Sequence, residues 1–460
     1  MKEIINSEKI FFFLLIICSF GIGLQSDIYK YAIIALLLQW LLSLDFSNKF
    51  QKLKQNKFAL LLIFFYVFYA ISFFWSDNIS IALTDLLLKI PILLFPLILA
   101  SSQPLNKHQI NKILLVFCIS SLFVNFYALG NACLNYLETA DIRKFVYWHL
   151  SINMHSAYQA MFTCFSIVLI IYLNLKDKFV NNWAMYCYVF FQMILILLLS
   201  SRMQILIMVV LIPFYFIVKY YKTKKLYLGI IYTVAIFSFA YLLIAQSSPL
   251  NYRYTKTVKY VNDIGGDNNN SDPRQFIWAE GLKVIKENWL FGVGSGDAKA
   301  KLIEKFSAQI LEKPFLNRII DSTSVAFKGN KKLMATIYET SKKNRISLAE
   351  QIIISANKKL EAKNYRYNRF IQRAFNYHNQ YLQSFAAIGL FGVILLLILL
   401  VIPGVQFLIK KKYLEVVFLF IVGSCFLTES MFERQAGVAF ISFFYTLLII
   451  LKPNNQHKPS

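Results

Sequence analysis

Apolar runs of the length a bilayer requires, roughly 17–25 residues, recur along most of this chain. About twelve are recognisable, with cores near residues 10–24, 28–44, 58–75, 81–100, 113–137, 155–175, 183–199, 203–220, 226–245, 380–409, 415–430 and 435–452. Short polar stretches separate them, except that residues 246–379 stand between the ninth and the tenth. The pattern predicts an all-α polytopic membrane protein with about twelve transmembrane helices and one large helical loop outside the bilayer. Three parts follow: residues 1–245, a bundle of about nine spans; 246–379, the loop; and 380–460, about three spans and a short tail. The first run could pass for a signal-peptide core, but no small-residue cleavage site follows it and another run begins almost at once. It is therefore predicted to be a retained first helix.

The lysines sort the connections. Lys49, Lys52, Lys54 and Lys57 follow the second run, Lys107 and Lys112 the fourth, and Lys176 and Lys178 the sixth. Lys219, Lys222, Lys224 and Lys225 follow the eighth, and Lys410, Lys411 and Lys412 the tenth. All are even-numbered exits, so the positive-inside rule puts them and both termini in the cytoplasm. The odd-numbered exits then face outward: residues 25–27, 76–78, 138–149, 200–202, the long loop and 433–434.

The loop carries 23 Lys and Arg against 12 Asp and Glu, a balance suited to an anionic ligand or headgroup surface. Long loops translocate regardless of charge, so this does not upset the orientation. Within it, residues 262–270 are rich in Gly, Asn and Asp and read as a turn or link. Residues 275–288 have a helical pattern, with Asp272 as a cap and Pro273 in the first turn. Residues 291–297 break that helix, and 299–376 predict two or three amphipathic helices.

Composition narrows the class. Fifty-seven per cent hydrophobic and 17% aromatic residues exclude an ordinary soluble domain. A net charge of +24 raises nucleic acid as a partner, but lysines clustered between apolar runs fit loops at a membrane surface better. The six cysteines are scattered singly without CxxC spacing, which speaks against a disulfide framework or a metal site.

A few residues stand out chemically. Arg202 sits between two apolar runs with almost no loop around it, as a snorkelling interfacial residue or a functional cation. Arg274 opens a helix, where free N–H groups already favour anions and a guanidinium adds a fork matched to phosphate oxygens. Alone it would read as an exposed loop arginine. Trp278, one turn later, can pack on a sugar ring or serve as an interfacial belt residue. His378 enters a very apolar helix between Tyr377 and Asn379, and a neutral imidazole there can take a proton from a hydroxyl. A helix-capping histidine is the plainer reading. His155, Glu429, Glu433 and Arg434 are weaker candidates that an ion pair or a water-facing cap also explains. The run Gly292-Val293-Gly294-Ser295-Gly296 follows a helix and has no lysine after it, so it is no nucleotide fingerprint. It reads as a tight turn with backbone amides near the site.

Taken in order, these segments resemble the O-antigen ligase and polymerase family of bacterial envelope glycan enzymes. Leu199-Ser200-Ser201-Arg202 looks like that family's Ser-Arg element. Arg274 to Trp278, with the stretch Ile285-Lys286-Glu287-Asn288-Trp289-Leu290-Phe291-Gly292-Val293-Gly294-Ser295-Gly296, is similar to its Arg-x-x-x-Trp and Gly-rich stretch. His378-Asn379 with Gly389-Leu390-Phe391-Gly392 looks like its His-Asn helix entry. Trp289 departs from the family, which often has Pro there, and the stretch between Asp297 and His378 is longer than usual. The resemblance implies a GT-C-like fold in a bacterial inner membrane, with a periplasmic loop and no metal or other cofactor. It implies an inverting transfer of a glycan from undecaprenyl diphosphate to an acceptor hydroxyl, such as lipid A–core, at the periplasmic face. His378 would be the general base, and Arg202 and Arg274 would bind the diphosphate. Trp278, Tyr377, Asn379, His155, Glu429 and Arg434 would contact substrate.

Alternatives stay open. A polymerase of the same family needs the same diphosphate site and base, and transfer to protein hydroxyls is a related option. A small-solute transporter would place charge near span centres and show an internal repeat. Asp85 and Lys89 in the fourth run are the exceptions to otherwise uncharged centres, and no repeat is evident.

Overall fold

The computed structural model describes residues 2–221, 224–247, 250–251, 254–255, 273–308, 339 and 371–451. Asp272, the turn at 262–270 and most of 299–376 lie outside the described residues. Among those described, no strand forms, and each apolar run is a helix. In chain order these are α1 (Lys2–Leu24), α2 (Ile28–Leu42), α3 (Phe46–Lys54), α4 (Lys57–Ile71), α5 (Ile79–Ser101), α6 (Lys107–Thr139), α7 (Ser156–Asp177), α8 (Asn182–Leu198), α9 (Arg202–Tyr221) and α10 (Leu226–Gln246). After these come α11 (Pro273–Glu287), α12 (Ala298–Ala308), α13 (Gln380–Ile409), α14 (Tyr413–Phe426) and α15 (Gln435–Tyr445).

The chain is an all-α polytopic membrane protein. Seven helical segments among the described residues are long and apolar enough to cross a bilayer, and an eighth arises if α2 and α3, bent by 115°, count as one. The apolar helices Asn182–Leu198, Tyr413–Phe426 and Gln435–Ile450 are shorter. Asparagine starts several helices in the same way: the side chains of Asn56, Asn78, Asn106 and Asn379 each accept a backbone N–H three residues on, which satisfies one of the donors a helix N-terminus leaves open.

In lipid, helices gain little from hiding apolar surface and associate by close packing and interhelical hydrogen bonds. Both are present. Phe117 of α6, Phe162 and Phe165 of α7, Phe418 of α14 and Phe440 and Phe444 of α15 form one aromatic core, with Phe162 stacked on Phe440 at 4.4 Å. Beside it, Asn125 bridges Thr163, Gln159 and Gln192 at 2.6–2.9 Å, tying α6, α7 and α8 together. Every member of that set is buried, so each amide needs its partners.

Two features fix the segment between α10 and α13. Helix α13 breaks at Ile388 (φ −128°, ψ 23°) and Gly389 (φ 66°, ψ −158°). The break leaves the carbonyls of Ala386 and Ala387 to accept the N–H groups of Val293 and Gly294, while Leu390 N–H turns to Trp289 O. The Gly-rich turn is thus clasped to α13. Its next residues dock on the start of α5: Ser295 and Gly296 donate to Ser72 and Ser76, and the Asp297 carboxylate accepts from Asp77 and Asn78. The turn's amides are taken up by protein partners.

Candidate functional site

Five helices begin around one short segment, residues 425–434. Helix α7 reaches it through Tyr158, whose hydroxyl donates to Ser430 O, and α9 through Gln204, which bonds Cys425 Sγ at 3.1 Å. Helix α11 reaches it through Arg274 and α13 through Asn379 and Gln380, which bind Leu427 O, Ser430 Oγ and Phe432 N. Helix α15 starts at its end. Each candidate cation lies at one of these starts: His155 caps α7, Arg202 opens α9, Arg274 is the second residue of α11, His378 precedes the α13 cap, and Arg434 caps α15. Helix N-termini carry partial positive charge and unfilled N–H donors, so this end of the bundle is built to meet anions.

A single carboxylate joins two of these residues. Glu429 Oε1 accepts from Arg274 Nη2 at 2.7 Å, and its Oε2 lies 3.4 Å from His378 Nδ1. Burial alone would raise the Glu429 pKa, but the His378 hydrogen bond and the charges of Arg274, His378 and His155 together hold it below its ordinary value. It stands as an anion at neutral pH. With Nδ1–H assigned to face that anion, His378 keeps the Nε2 lone pair as a proton acceptor. The backbone of His378 is left-handed (φ 45°), and its N–H donates to the Asn376 side chain at 3.0 Å. A non-glycine residue in that region carries strain that the surrounding contacts must offset.

His155 lies within electrostatic reach of the same cluster. Its Nδ1 accepts the Ala157 N–H at 3.3 Å. Burial, with help from His378, Arg274 and Arg434 and against the pull of Glu429, lowers its pKa, so it remains neutral to a lower pH than an ordinary histidine. His155 and Arg434 also line a cavity of about 220 Å³ with Tyr158, Asp27 and Asn153.

Other expected contacts are engaged in structure. Tyr377 is fully buried, its hydroxyl donates to Ala298 O at 3.1 Å, and its carbonyl accepts Trp278 Nε1–H at 2.9 Å. Asn379 spends its side chain on Leu382 N–H and Leu427 O. These residues hold α11 and α12 against the segment that carries His378. Gly281 belongs with them: a Cβ there would come within 2.7 Å of the Tyr377 ring. Its place on the inner face of an amphipathic helix was the only sequence sign of it. The charges of α5 also find a partner, since Lys89 bonds Asp85 and lies 3.2 Å from Glu433, beside the Tyr69 ring.

Residues 187–318 match the O-antigen ligase family model. The match runs from α8 to beyond α12 and contains Arg202, Arg274 and Trp278, whereas His378 and Glu429 lie C-terminal to it. No curated protein matches the chain. That part of the chain is similar to O-antigen ligases.

Proposed function

We propose that this protein is a glycosyltransferase that moves a glycan from undecaprenyl diphosphate to an acceptor hydroxyl at the periplasmic face of a bacterial inner membrane. The observation that carries the reading is the Glu429 bridge between Arg274 and His378. In the reaction, His378 Nε2 takes the proton from the acceptor hydroxyl as its oxygen bonds the anomeric carbon. The bond from that carbon to the diphosphate breaks, and undecaprenyl diphosphate leaves with the electron pair, inverting the anomeric centre. Glu429 keeps His378 in the accepting tautomer and stabilises the imidazolium. Arg274 and Arg202, with the helix N-termini around them, stabilise the diphosphate charge that grows in the transition state. Both substrates are membrane-anchored, so positioning supplies much of the rate. Lipid A–core is the acceptor we favour.

The test is the envelope glycan profile of a null strain complemented with wild type or His378→Ala. Loss of long glycan from the final acceptor, with long chains kept on undecaprenyl diphosphate and restored by wild type alone, supports the ligase reading. Acceptor carrying one repeat unit would instead indicate a polymerase. An unchanged profile would overturn glycan transfer, and full rescue by H378A would remove His378 as the base.

A further inference from the structure

The lysine-bearing end of the bundle holds a second and larger cavity, of about 630 Å³, bounded by the end of α2, by α3 and by the α5–α6 connection. It is remote from the Glu429 site. Helix α1 passes from one cavity to the other, with Glu8 and Phe11 at the larger and Ile22 and Gln25 at the smaller. By the helix rise of about 1.5 Å per residue these ends stand ~25 Å apart.

Lys49 makes this cavity unusual. The residue is only 7% exposed, and its ammonium lies 4.6 Å from the ring centres of both Trp40 and Phe46. Among the described residues it makes one hydrogen bond, to the Trp40 carbonyl, and no ion pair. An ammonium has three donors; beyond the Trp40 carbonyl and the attraction of Asp45 from outside contact distance, its shell has room for an anion to offset the cost of burial. The cavity is where that anion fits. Its charged lining is Lys49 and Lys52 on one hand and Asp45 and Glu8 on the other, two charges of each sign.

The cavity adjoins a sharp bend of the chain. Helix α3 turns 115° from α2, and Leu42, Leu44 and Phe50 around that bend are exposed apolar side chains. A short helix with lysines and outward apolar residues lies along a membrane interface. We infer that this cavity binds a phospholipid headgroup of the adjoining leaflet, its phosphodiester on Lys49 and Lys52 and a primary ammonium toward Asp45 and Glu8. That chemistry is a phosphoethanolamine headgroup.

Native mass spectrometry of the full chain, equilibrated with equal amounts of phosphatidylethanolamine and phosphatidylglycerol, reads the occupancy. Wild type should retain about one phosphatidylethanolamine per chain. Lys49→Met keeps the stem on the two rings and removes the charge, so retention should fall about tenfold, the scale of one charge-assisted contact. Asp45→Asn should move the preference toward phosphatidylglycerol, which a purely structural role for this corner would not do. Lys54→Gln, exposed on the same helix and outside the cavity, should retain lipid like wild type. Undiminished retention by K49M, or an unchanged preference in D45N, overturns the proposal, as does displacement of the lipid by an equal concentration of inorganic phosphate. If K49M does not fold, D45N and Lys52→Gln carry the test, the latter with an expected severalfold loss.

Discussion

The imidazole of His378 meets the carboxylate of Glu429 across 3.4 Å, although 51 residues separate them in the chain. The other oxygen of the same carboxylate is held by Arg274, 155 residues away. In the proposed reaction this contact sets the tautomer of His378. Glu429→Gln should lower turnover by about 10²-fold or more, the scale seen when an imidazole loses its tautomer-fixing anion, with substrate KM much less affected. A reconstituted transfer assay with lipid-linked glycan checks it. A rise in KM alone, with turnover intact, would remove Glu429 from this role.

The depressed pKa of Glu429 also makes a stability prediction. A carboxyl group whose folded pKa lies below its free value of 4.5 stabilises the fold at higher pH and loses that contribution as pH falls through the folded value. Wild type should therefore unfold at a higher temperature than E429Q above about pH 4.5, with the gap closing on further acidification. Thermal unfolding of both proteins across pH in detergent measures it.

Gly281→Ala should destabilise the protein by about 1–3 kcal/mol, because the new methyl must displace the Tyr377 ring from a packed position. Since the Tyr377 carbonyl also accepts the Trp278 indole, the segment leading to His378 should shift and activity fall with it. Unfolding temperature and transfer rate, read together, test both halves.

Lys89→Met should cost more. It leaves Asp85 and Glu433 facing each other in the bundle without their cation, a change typically worth about 3–5 kcal/mol for a buried pair. The double variant K89M/D85N should recover part of that loss. If the double variant is less stable than K89M, the ion cluster is not the reason for the damage.

Much of this architecture was legible in the chain. All twelve apolar runs are helices, and the breaks fall at Asn caps and short polar gaps, because helix formation is the way a chain satisfies its backbone in lipid. Arg274 and His378 were visible as charges at helix starts. What the sequence withheld was pairing. Nothing local says that Glu429, near the end of an apolar run, joins them, or that Asp85 and Lys89 share a partner in Glu433, 344 residues beyond the lysine. The partners of the glycine run were hidden for the same reason. A Gly-rich turn with free amides and one whose amides meet Ala386, Ala387, Ser72 and Ser76 have the same local sequence. The hydrogen bonds that Trp278, Tyr377 and Asn379 make within the protein were equally invisible in the sequence.

The break at Ile388–Gly389 has a consequence for how this region tolerates change. Its carbonyls receive Val293 and Gly294 one for one, and the residues that follow reach Ser72, Ser76, Asp77 and Asn78 in strict succession. Main-chain N–H groups meet carbonyls at Ala386 and Ala387 and side-chain oxygens at Ser72, Ser76 and Asp297, so the number of residues from Trp289 to Asp297 is fixed as firmly as the identities of those three side chains. One residue inserted or deleted there would put every later amide opposite the wrong acceptor.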